Sequence, residues 1–450
     1  MRFSELDGAR VGVWGAGREI ASFAAQLARR LPSARIVVAA FDSPPPADVR
    51  ETLQAPDVQV VTDAEIVAAL SRCDVVVRSP GVSVYRPELR ALREAGVPVT
   101  TATSLWLAER GGAGVIGVTG TKGKSTTAAL AAHLARAAGG TVALAGNIGV
   151  PALDLLDREP ARVTVVELSS YHIADLETGP EVALVTNLFR EHTQWHGSED
   201  AYHADKLRLL GLPGVRVAVL NGRDERLARL RPQAETMFYG VADGWDVSAD
   251  GIALRGEPVA ALDELPLRGE HNALNLCGAL AALEALGVAP PPLPSALADF
   301  EPLAHRLQTV AERDGVLWVD DSISTTPESA LAALASFPGR EIVLIAGGQD
   351  RGQDFTELAR TLAASGVTII GVPSTGPRLV AAIADAGATQ ASMFEAGDLR
   401  EAVERARELA RPGTVVLLSP AAPSFDHYHD FEERGERFRT LATLESQRRG

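Results

Sequence analysis

Two lysines lie in a glycine-rich segment whose surroundings are typical of a phosphate-binding loop. The segment Gly117-Val-Thr-Gly-Thr-Lys-Gly-Lys-Ser-Thr-Thr127 follows an apolar run and precedes an Ala/Leu-rich stretch. Glycines let backbone N–H groups approach a polyphosphate, and the N-terminus of a following helix adds positive potential. Lys124 can reach the terminal phosphates, and Ser125 offers a hydroxyl to Mg²⁺. The pattern predicts a nucleotide site on a strand–loop–helix unit, although glycines at 117, 120 and 123 depart from the usual spacing.

Lysine is rare in this chain, which makes each lysine informative. The sequence contains three lysines, Lys122, Lys124 and Lys206, beside 40 arginines. A chain with this bias uses arginine wherever a positive charge alone is sufficient, so a remaining lysine is a candidate for a task that needs a compact, deprotonatable amine. Two of the three lie in the phosphate loop. Lys206 is therefore a candidate functional residue on composition alone.

Length and composition limit the class of protein. A chain of 450 residues predicts two or three domains, and 46% hydrophobic with 22% charged residues is ordinary for a globular protein. The formal charge of −15 opposes nucleic acid and anionic membranes, so we expect neither as a partner. Cys73 and Cys277 lie in apolar runs and are expected to be core residues in a reducing compartment. Because no signal-peptide core or ~18-residue apolar stretch is present, we expect a cytoplasmic protein.

The first 110 residues read as a Rossmann-like α/β unit. Strands are predicted over 11–15, 35–41 and 73–77, with a helix over 21–31, and the turns Gly15-Ala-Gly17-Arg18 and Ser79-Pro80-Gly81 follow two of the strands. A redox dinucleotide site is disfavoured, because Ile20 stands where the third glycine of that fingerprint belongs and Asp42 comes 27 residues after Gly15. A turn that holds another diphosphate and a purely structural turn both stay open.

Polar residues follow the predicted strands of the region 111–308. Strands over 141–145, 163–166 and 182–186 lead to Asn147, Glu167 and Asn187, and ligands gather at the carboxyl ends of parallel strands. Glu167 is a candidate Mg²⁺ ligand, with helix capping as the alternative. His192, His196 and His203 precede or flank Lys206 within fifteen residues, which suggests a metal-associated site or ordinary surface histidines.

The region 309–450 repeats the strand–helix pattern with different loop chemistry. Predicted strands over 316–319, 341–346 and 414–418 end in the polar or glycine-rich segments 320–327, 347–351 and 419–425. These strand ends predict a third binding face on one sheet edge.

The ordered set of motifs resembles the Mur ligases, the ATP-dependent amino-acid-adding enzymes of peptidoglycan synthesis. The motifs are GTKGKST, GNIG, ELSSY, GEHNALN, HRLQ, GGQDRG and LLSP, and they span nearly the whole chain. The resemblance implies an α/β protein with three domains. These are a UDP-sugar-binding Rossmann-like domain over 1–110, a central ATP-binding P-loop domain over 111–308 and an amino-acid-binding Rossmann-like domain over 309–450.

The resemblance also implies roles for individual residues. Those expected at the activated carboxyl group are Lys124, Asn147, His192 and Lys206. Those expected to hold Mg²⁺ are Ser125, Glu167, His192 and a carbamylated Lys206. Those expected at ATP are Gly120, Thr121, Lys122, Gly123, Lys124, Ser125, Thr126, Asn272, Asn275, Arg306 and Asp321. Those expected at the UDP-sugar are Gly15, Gly17, Arg18, Ser79, Pro80 and Gly81. Those expected at the added amino acid are Thr325, Arg351, Ser424 and Phe431, although Ser424 could be a turn residue and Phe431 plain core.

The implied reaction joins glutamate to UDP-N-acetylmuramoyl-L-alanine through an acyl phosphate, with ATP and Mg²⁺, and we expect a monomer. GNIG followed by Pro151, ELSSY and the LLSPAAPSF stretch carry this part of the resemblance. The D-glutamate-adding members have lysines where this chain has Ile323 and Arg351. A lost cation beside an acidic substrate is not neutral, so the carboxylates need another arrangement, with a bidentate Arg351 as one way to hold them. The DSISTTP, APSF and GTKGKSTT segments resemble the branch that adds L-glutamate, and together with the missing lysine this resemblance favours L-glutamate.

Other functions remain as alternatives. The D-glutamate-adding ligase belongs to the same family. A folate polyglutamate ligase shares the P-loop and the lysine but lacks the N-terminal UDP-binding half. A nicotinamide-dependent oxidoreductase or a non-catalytic nucleotide sensor needs no Lys206.

Overall fold

The computed structural model describes residues 1–42, 58–189, 193–248, 251–266, 269–301, 304–350, 352–388 and 392–444. The chain forms two compact units, Met1–Phe300 and Glu301–Gly450. The first unit contains two parallel sheets and a small antiparallel sheet, and the second contains one mixed sheet. None of the helices in these ranges is long and apolar enough to cross a membrane.

A five-stranded parallel sheet is built from the first hundred residues. Its strands are β1 Arg10–Trp14, β2 Arg35–Phe41, β3 Gln59–Thr62, β4 Val75–Arg78 and β5 Val99–Thr100. In the order β3-β2-β1-β4-β5, the chain extends the sheet to one side of β1 and then crosses to the other side at β4. Open α/β sheets bind ligands at such a topological switch point. Since Trp14 pairs with Arg78, the predicted turns after Trp14 and Arg78 lie side by side.

The P-loop sheet has six parallel strands. They are β6 Val115–Thr119, β7 Val142–Gly146, β8 Val163–Glu167, β9 Val182–Val185, β10 Val217–Asn221 and β11 Glu235–Tyr239. In the order β11-β10-β9-β6-β8-β7, strand β6 lies between β9 and β8, and every residue of β6 is buried. Val118 and Gly146 both pair with Glu167, so the phosphate loop, the GNIG turn and Glu167 meet at one sheet edge.

Helices and a small sheet complete the first unit. The α-helices are Arg18–Arg30, Ile66–Leu70, Pro87–Glu94, Ala102–Arg110, Lys124–Ala137, Ser170–Ile173, Thr193–His196, Glu199–Arg208, Glu225–Ala228, Glu270–Ala285 and Leu293–Leu297. Antiparallel strands β12 Trp245–Ser248, β13 Gly251–Leu254 and β14 Glu257–Ala260 form the small sheet, in the region where the short, alternating, turn-rich sequence predicts a small sheet. The apolar faces of Lys124–Ala137 and Glu270–Ala285 pack in one core beneath the P-loop sheet.

The second unit holds a six-stranded sheet of order β15-β16-β20-β17-β18-β19. Its strands are β15 Gln308–Arg313, β16 Val316–Asp320, β17 Ile342–Ala346, β18 Thr368–Gly371, β19 Met393–Glu395 and β20 Val415–Leu418. Its helices are Pro327–Ala335, Thr356–Ala363, Gly376–Asp385, Leu399–Leu409 and Phe431–Thr443. Strand β15 runs antiparallel to β16. The sequence did not predict β15, because Glu312-Arg-Asp-Gly315 at its end has the composition of a charged turn.

The predicted buried strands agree with the structure to within one or two residues, and the strand over Arg35–Phe41 agrees at both ends. Cys73 and Cys277 are both buried free thiols, as predicted. Burial raises the pKa of Cys73 to about 11 and that of Cys277 to about 12. Both side chains therefore act as small apolar core residues rather than as reactive thiolates.

Candidate functional site

A cavity of about 350 Å³ lies in the first unit, where residues from both parallel sheets face one another. The first sheet contributes residues 16–19, after β1, and 79–81, after β4. The P-loop sheet contributes Lys124, Asn147, residues 169–172 and Lys206. Residues predicted for the UDP-sugar and residues predicted for the activated carboxyl group therefore line the same space.

The phosphate loop is shaped by two glycines that have no room for a side chain. Gly120 has φ 138°, and a Cβ there would lie 1.9 Å from the hydroxyl oxygen of Thr186. Gly123 has φ 80°, and a Cβ there would lie 2.3 Å from Oδ1 of Asn275. Asn187 accepts a hydrogen bond from the Lys122 N–H (2.7 Å). The backbone between β6 and its helix is therefore fixed on both sides, as a loop that presents N–H groups must be.

Two of the three lysines reach the cavity. Lys124 begins the helix after the loop, and its Nζ donates to the carbonyl of Thr121 (2.8 Å). Lys206 is 1% exposed, and its Nζ lies 4.6 Å from the centre of the Tyr202 ring. Its helix, Glu199–Arg208, starts at Ser198, whose hydroxyl accepts from the Ala201 N–H (3.1 Å). The positive charge of Lys124 favours an anionic ligand in this space.

The carboxylate predicted to bind Mg²⁺ is buried beside the phosphate loop. Glu167 ends β8, and its Oε1 accepts from the amide of Asn147 (3.5 Å). Its Oε2 is buried and makes no hydrogen bond to any residue in the described ranges. Ser125 is buried in the first turn of the adjacent helix. An under-bonded buried carboxylate oxygen next to a phosphate site fits a hard cation such as Mg²⁺.

The three histidines near Lys206 have different surroundings. His196 is buried and uses both ring nitrogens, with Nδ1 bonded to Asp205 (2.6 Å) and Nε2 to Ser170 (3.0 Å). His203 is on the surface, 3.2 Å from the carbonyl of Phe189. His192 lies outside the described residues. Within the described ranges no three His, Cys, Asp or Glu side chains cluster as a metal site. His196 therefore has a structural role.

A hydrogen-bonded network that the sequence did not predict lines the cavity. His172 Nε2 bonds to Glu19 Oε1 (3.0 Å), and its Nδ1 bonds to the hydroxyl of Ser169 (2.6 Å). Thr103 donates to the same Glu19 oxygen (2.7 Å). Burial alone would raise the pKa of Glu19, but the charge and hydrogen bond of His172 and the Thr103 bonds leave it lowered. No sequence signal links Glu19 to His172, because each is an ordinary residue far from the other along the chain.

The predicted UDP-sugar residues surround one end of the cavity. Gly17, Arg18 and Ser79–Gly81 line it, and Gly15 packs directly against Ser79. The Arg18 guanidinium donates to the carbonyls of Asn147 (2.9 Å) and Gly149 (3.3 Å), so this side chain also joins the first sheet to the GNIG turn.

Asn272 and Asn275, predicted at ATP, are neighbours on the helix Glu270–Ala285. The Asn275 amide donates to Oδ1 of Asn272 (3.3 Å), and Asn275 contacts the phosphate loop at Gly123. The GEHNALN motif therefore places its two asparagines beside the loop.

In the second unit, Arg306 and Asp321 lie close together. Asp321 is buried and accepts from Ser419 Oγ (2.8 Å) and the Leu307 N–H (3.2 Å). Burial raises the pKa of Asp321 to about 6, against hydrogen bonds and the nearby charge of Arg306, which lower it. His305 bonds to Asp320 (2.7 Å), and this bond raises the pKa of His305.

Three of the four residues predicted at the added amino acid lie within the described residues. Thr325 follows β16 and is half-buried. Ser424 is fully buried after β20. The Phe431 ring is packed edge-on to His305, with ring centres 6.2 Å apart. Arg351 lies outside the described residues. Their roles as ligands stay predictions.

Comparisons with known proteins agree with this architecture. Residues 118–283 match the family model described as the Mur ligase middle domain, and residues 305–422 match the model described as the Mur ligase, glutamate ligase domain. The UDP-N-acetylmuramoyl-L-alanine–L-glutamate ligase of Xanthomonas euvesicatoria pv. vesicatoria (strain 85-10) is 44% identical, covering 98% of this chain and 97% of its own. The ligase of the same name from Salinispora tropica is 43% identical, covering 97% of this chain and 98% of its own.

The solved structures show the same fold at lower sequence identity. The UDP-N-acetylmuramate–alanine ligase from Thermotoga maritima is 20% identical, with a TM-score of 0.57 over 96% of this chain and 98% of its own. Because relatives at more than 40% identity match nearly the full length and both family models agree with them, this chain belongs to the Mur ligase family.

Proposed function

We propose that the protein joins L-glutamate to UDP-N-acetylmuramoyl-L-alanine at the expense of ATP, in the cytoplasmic synthesis of peptidoglycan precursors. One observation carries the proposal. A single cavity brings the two N-terminal turns, which suit a UDP-sugar, to Lys124 of the phosphate loop and to the buried Lys206. A carboxylate that must approach a triphosphate needs the positive charge of Lys124 at the phosphates, and Lys206 supplies the amine that a metal-binding carbamate requires.

In the proposed reaction, an oxygen of the substrate carboxylate attacks the γ-phosphorus of ATP. The bond from that phosphorus to the β–γ bridging oxygen breaks, and ADP leaves. The amino group of glutamate then attacks the acyl carbon, loses a proton and expels phosphate. Lys124 and the loop N–H groups hold the phosphates, and Asn147, which bonds to Glu167, positions the carboxyl group. Most of the rate enhancement comes from positioning and fixed charge.

Mg²⁺ is the metal that these residues fit. We propose that Ser125 and Glu167 hold one ion, and that His192 holds a second together with a carbamylated Lys206. When bound, Mg²⁺ neutralises phosphate charge. A lysine suits this role because an unprotonated amine can add CO₂ to become an anionic carbamate, whereas a guanidinium stays charged at ordinary pH.

The remaining assignments extend this proposal to the whole chain. Residues 1–110 bind the UDP-sugar, residues 111–308 bind ATP, and residues 309–450 bind glutamate through Thr325, Arg351, Ser424 and Phe431. The residues proposed to bind ATP are Gly120–Thr126, Asn272, Asn275, Arg306 and Asp321. The protein acts as a cytoplasmic monomer.

The choice of L-glutamate rests on two observations. Relatives at 43–44% identity are named L-glutamate ligases. Residue 323 is also an isoleucine, where the resemblance to the family implies a lysine in the D-glutamate-adding members. The test is phosphate release by purified protein with UDP-N-acetylmuramoyl-L-alanine, ATP, Mg²⁺ and each glutamate enantiomer separately, with reactions lacking the UDP-sugar as the control. Turnover is expected with L-glutamate, and turnover with D-glutamate alone would overturn the choice.

A further inference from the structure

Arg78 is a fully buried arginine behind the wall of the cavity. It is the last residue of β4 and immediately precedes the turn Ser79-Pro80-Gly81, which lines the cavity. Its side chain is 0% exposed. A buried guanidinium is stable only when its N–H donors find acceptors, so its partners show what it holds in place.

One side of the guanidinium holds the turn itself. Nη1 of Arg78 is within hydrogen-bonding distance of three carbonyl oxygens, those of Ser79 (3.2 Å), Pro80 (3.2 Å) and Val82 (2.9 Å). These carbonyls come from consecutive parts of the turn and converge on one nitrogen. The position of the turn is therefore set from behind by Arg78.

The other side of the guanidinium holds the opposite wall. Nε and Nη2 of Arg78 donate to the two carboxylate oxygens of Asp175, at 2.9 and 2.7 Å. Nη2 also donates to the carbonyl of Tyr171 (3.0 Å), and Tyr171 lines the cavity on the P-loop side. A planar fork can make this bidentate contact and reach the turn at the same time, which an ammonium cannot do.

A second link joins the same two segments. The indole N–H of Trp195 donates to the carbonyl of Gly81 (3.1 Å), and its ring is stacked on Tyr171 with centres 4.5 Å apart. The turn after β4 and the segment around Tyr171 are thus connected both beneath the cavity and beside it. Because two separate sets of contacts hold these segments together, their spacing is fixed. This spacing shapes the cavity that both segments line.

We propose that Arg78, paired with Asp175, is a positioning residue that sets the separation of the two walls and thereby the affinity for the UDP-sugar substrate. The proposal rests on the proposed function, since it concerns the substrate assigned to that cavity. Stability alone does not explain the pair, because well-packed apolar side chains often replace a buried ion pair without loss of stability. Apolar residues would not reproduce the planar guanidinium, which bonds to both segments at once.

The test compares Arg78→Lys and the double variant Arg78→Met/Asp175→Leu with the wild type. The lysine variant keeps the charge but not the fork, and the double variant removes both charges so that neither is left buried alone. The control is Arg216→Met, which breaks the ion pair to Glu181 (3.0 Å) in the same compact unit but outside the residues that line the cavity. KM and kcat are measured for the UDP-sugar and for ATP, together with the melting temperature.

We expect KM for UDP-N-acetylmuramoyl-L-alanine to rise about tenfold or more in both Arg78 variants, because a displaced wall loses substrate contacts. KM for ATP should stay within about twofold, as in the control. The double variant should fold with a lower melting temperature, because the carbonyls that Arg78 bonds to lose their donor. Amide hydrogen exchange in residues 79–84 and 170–176 should be faster in both variants than in the wild type.

Two outcomes would overturn the role of Arg78. One is a folded double variant with wild-type KM values and wild-type exchange in both segments. The other is an equal rise in KM for both substrates, which indicates a general structural role. If the wild type itself does not turn over the UDP-sugar, the proposed function fails. The exchange experiment still tests whether Arg78 holds the two segments.

Discussion

The two compact units each bury a basic residue near the carboxyl edge of a sheet, and they do so in different ways. In the second unit, Arg434 is buried and donates to the hydroxyl (2.9 Å) and the carbonyl (2.8 Å) of Ser322 and to the carbonyl of Ala422 (3.1 Å). Burial lowers the pKa of Arg434 to about 10, so it remains charged at neutral pH. In the first unit, Lys206 lies over the Tyr202 ring and lines the cavity.

The difference indicates that arginine and lysine have different roles at these positions. Arg78 and Arg434 both use a planar fork to join backbone carbonyls from separate segments. Lys124 and Lys206 instead line the cavity of the first unit. In a chain with three lysines and 40 arginines, we infer that Arg78 and Arg434 serve the fold, and that Lys124 and Lys206 are kept where an amine itself is needed.

Exchanging the residue type at Lys206 is the strongest way to break this comparison. In Lys206→Arg we expect kcat to fall by about a hundredfold or more, because a guanidinium cannot form a carbamate. ATP binding, measured by calorimetry, should be retained. Arg208→Lys, on the same helix, is the control and should keep kcat within about twofold. Unchanged turnover in Lys206→Arg would refute the carbamate role.

The reverse exchange in the second unit should affect stability. In Arg434→Lys, an ammonium cannot reach Ser322 and Ala422 together, so buried carbonyls lose their partners. We expect the free energy of unfolding to fall by about 3 kcal/mol in urea denaturation. Arg405→Lys, at a partly exposed ion pair with Glu408 (2.9 Å), should change it by less than about 0.5 kcal/mol. Equal stabilities of the two variants would contradict the structural role of Arg434.

Asp321, a buried carboxyl group of the second unit, makes the stability of the protein depend on pH. Its pKa is about 6 in the folded protein against 3.8 for the ordinary side chain. The native state therefore binds this proton more tightly, so its contribution to stability is complete below pH 3.8 and is lost as pH rises through 6. The loss is roughly 3 kcal/mol at most. In Asp321→Asn, urea unfolding between pH 4 and 7 should lack this decline, and parallel curves for both proteins would contradict the assignment.

Much of the framework could be predicted from the sequence, because the signals are local. A buried β-branched strand followed by a glycine-rich turn and an Ala/Leu-rich helix predicts the phosphate loop without any distant contact. The same holds for Glu167, which ends a short apolar strand. The rarity of lysine also indicated a functional role for Lys206, and this side chain is buried and lines the cavity.

The contacts that the sequence did not predict join residues far apart in the chain. Arg78 bonds to Asp175 across 97 positions, and Glu19 bonds to His172 across 153. Each is a common residue type in an ordinary local setting, so its role depends on how two sheets face each other. The charged hairpin that begins with β15 was missed for a related reason, because its pairing with β16 outweighs its polar composition.

Gly123→Ala tests the backbone of the phosphate loop separately from its lysines, and its expected effect is smaller. In Gly123→Ala the new Cβ would lie 2.3 Å from Asn275 Oδ1, at a residue whose φ is 80°. We expect KM for ATP to rise about tenfold, with KM for the UDP-sugar unchanged, in initial-rate measurements. Gly139→Ala is a matched control, because Gly139 has φ 81° but no atom within 4 Å of an added Cβ. If both variants change KM for ATP equally, the contact with Asn275 is not the cause, and a specific role of the loop backbone at Gly123 is contradicted.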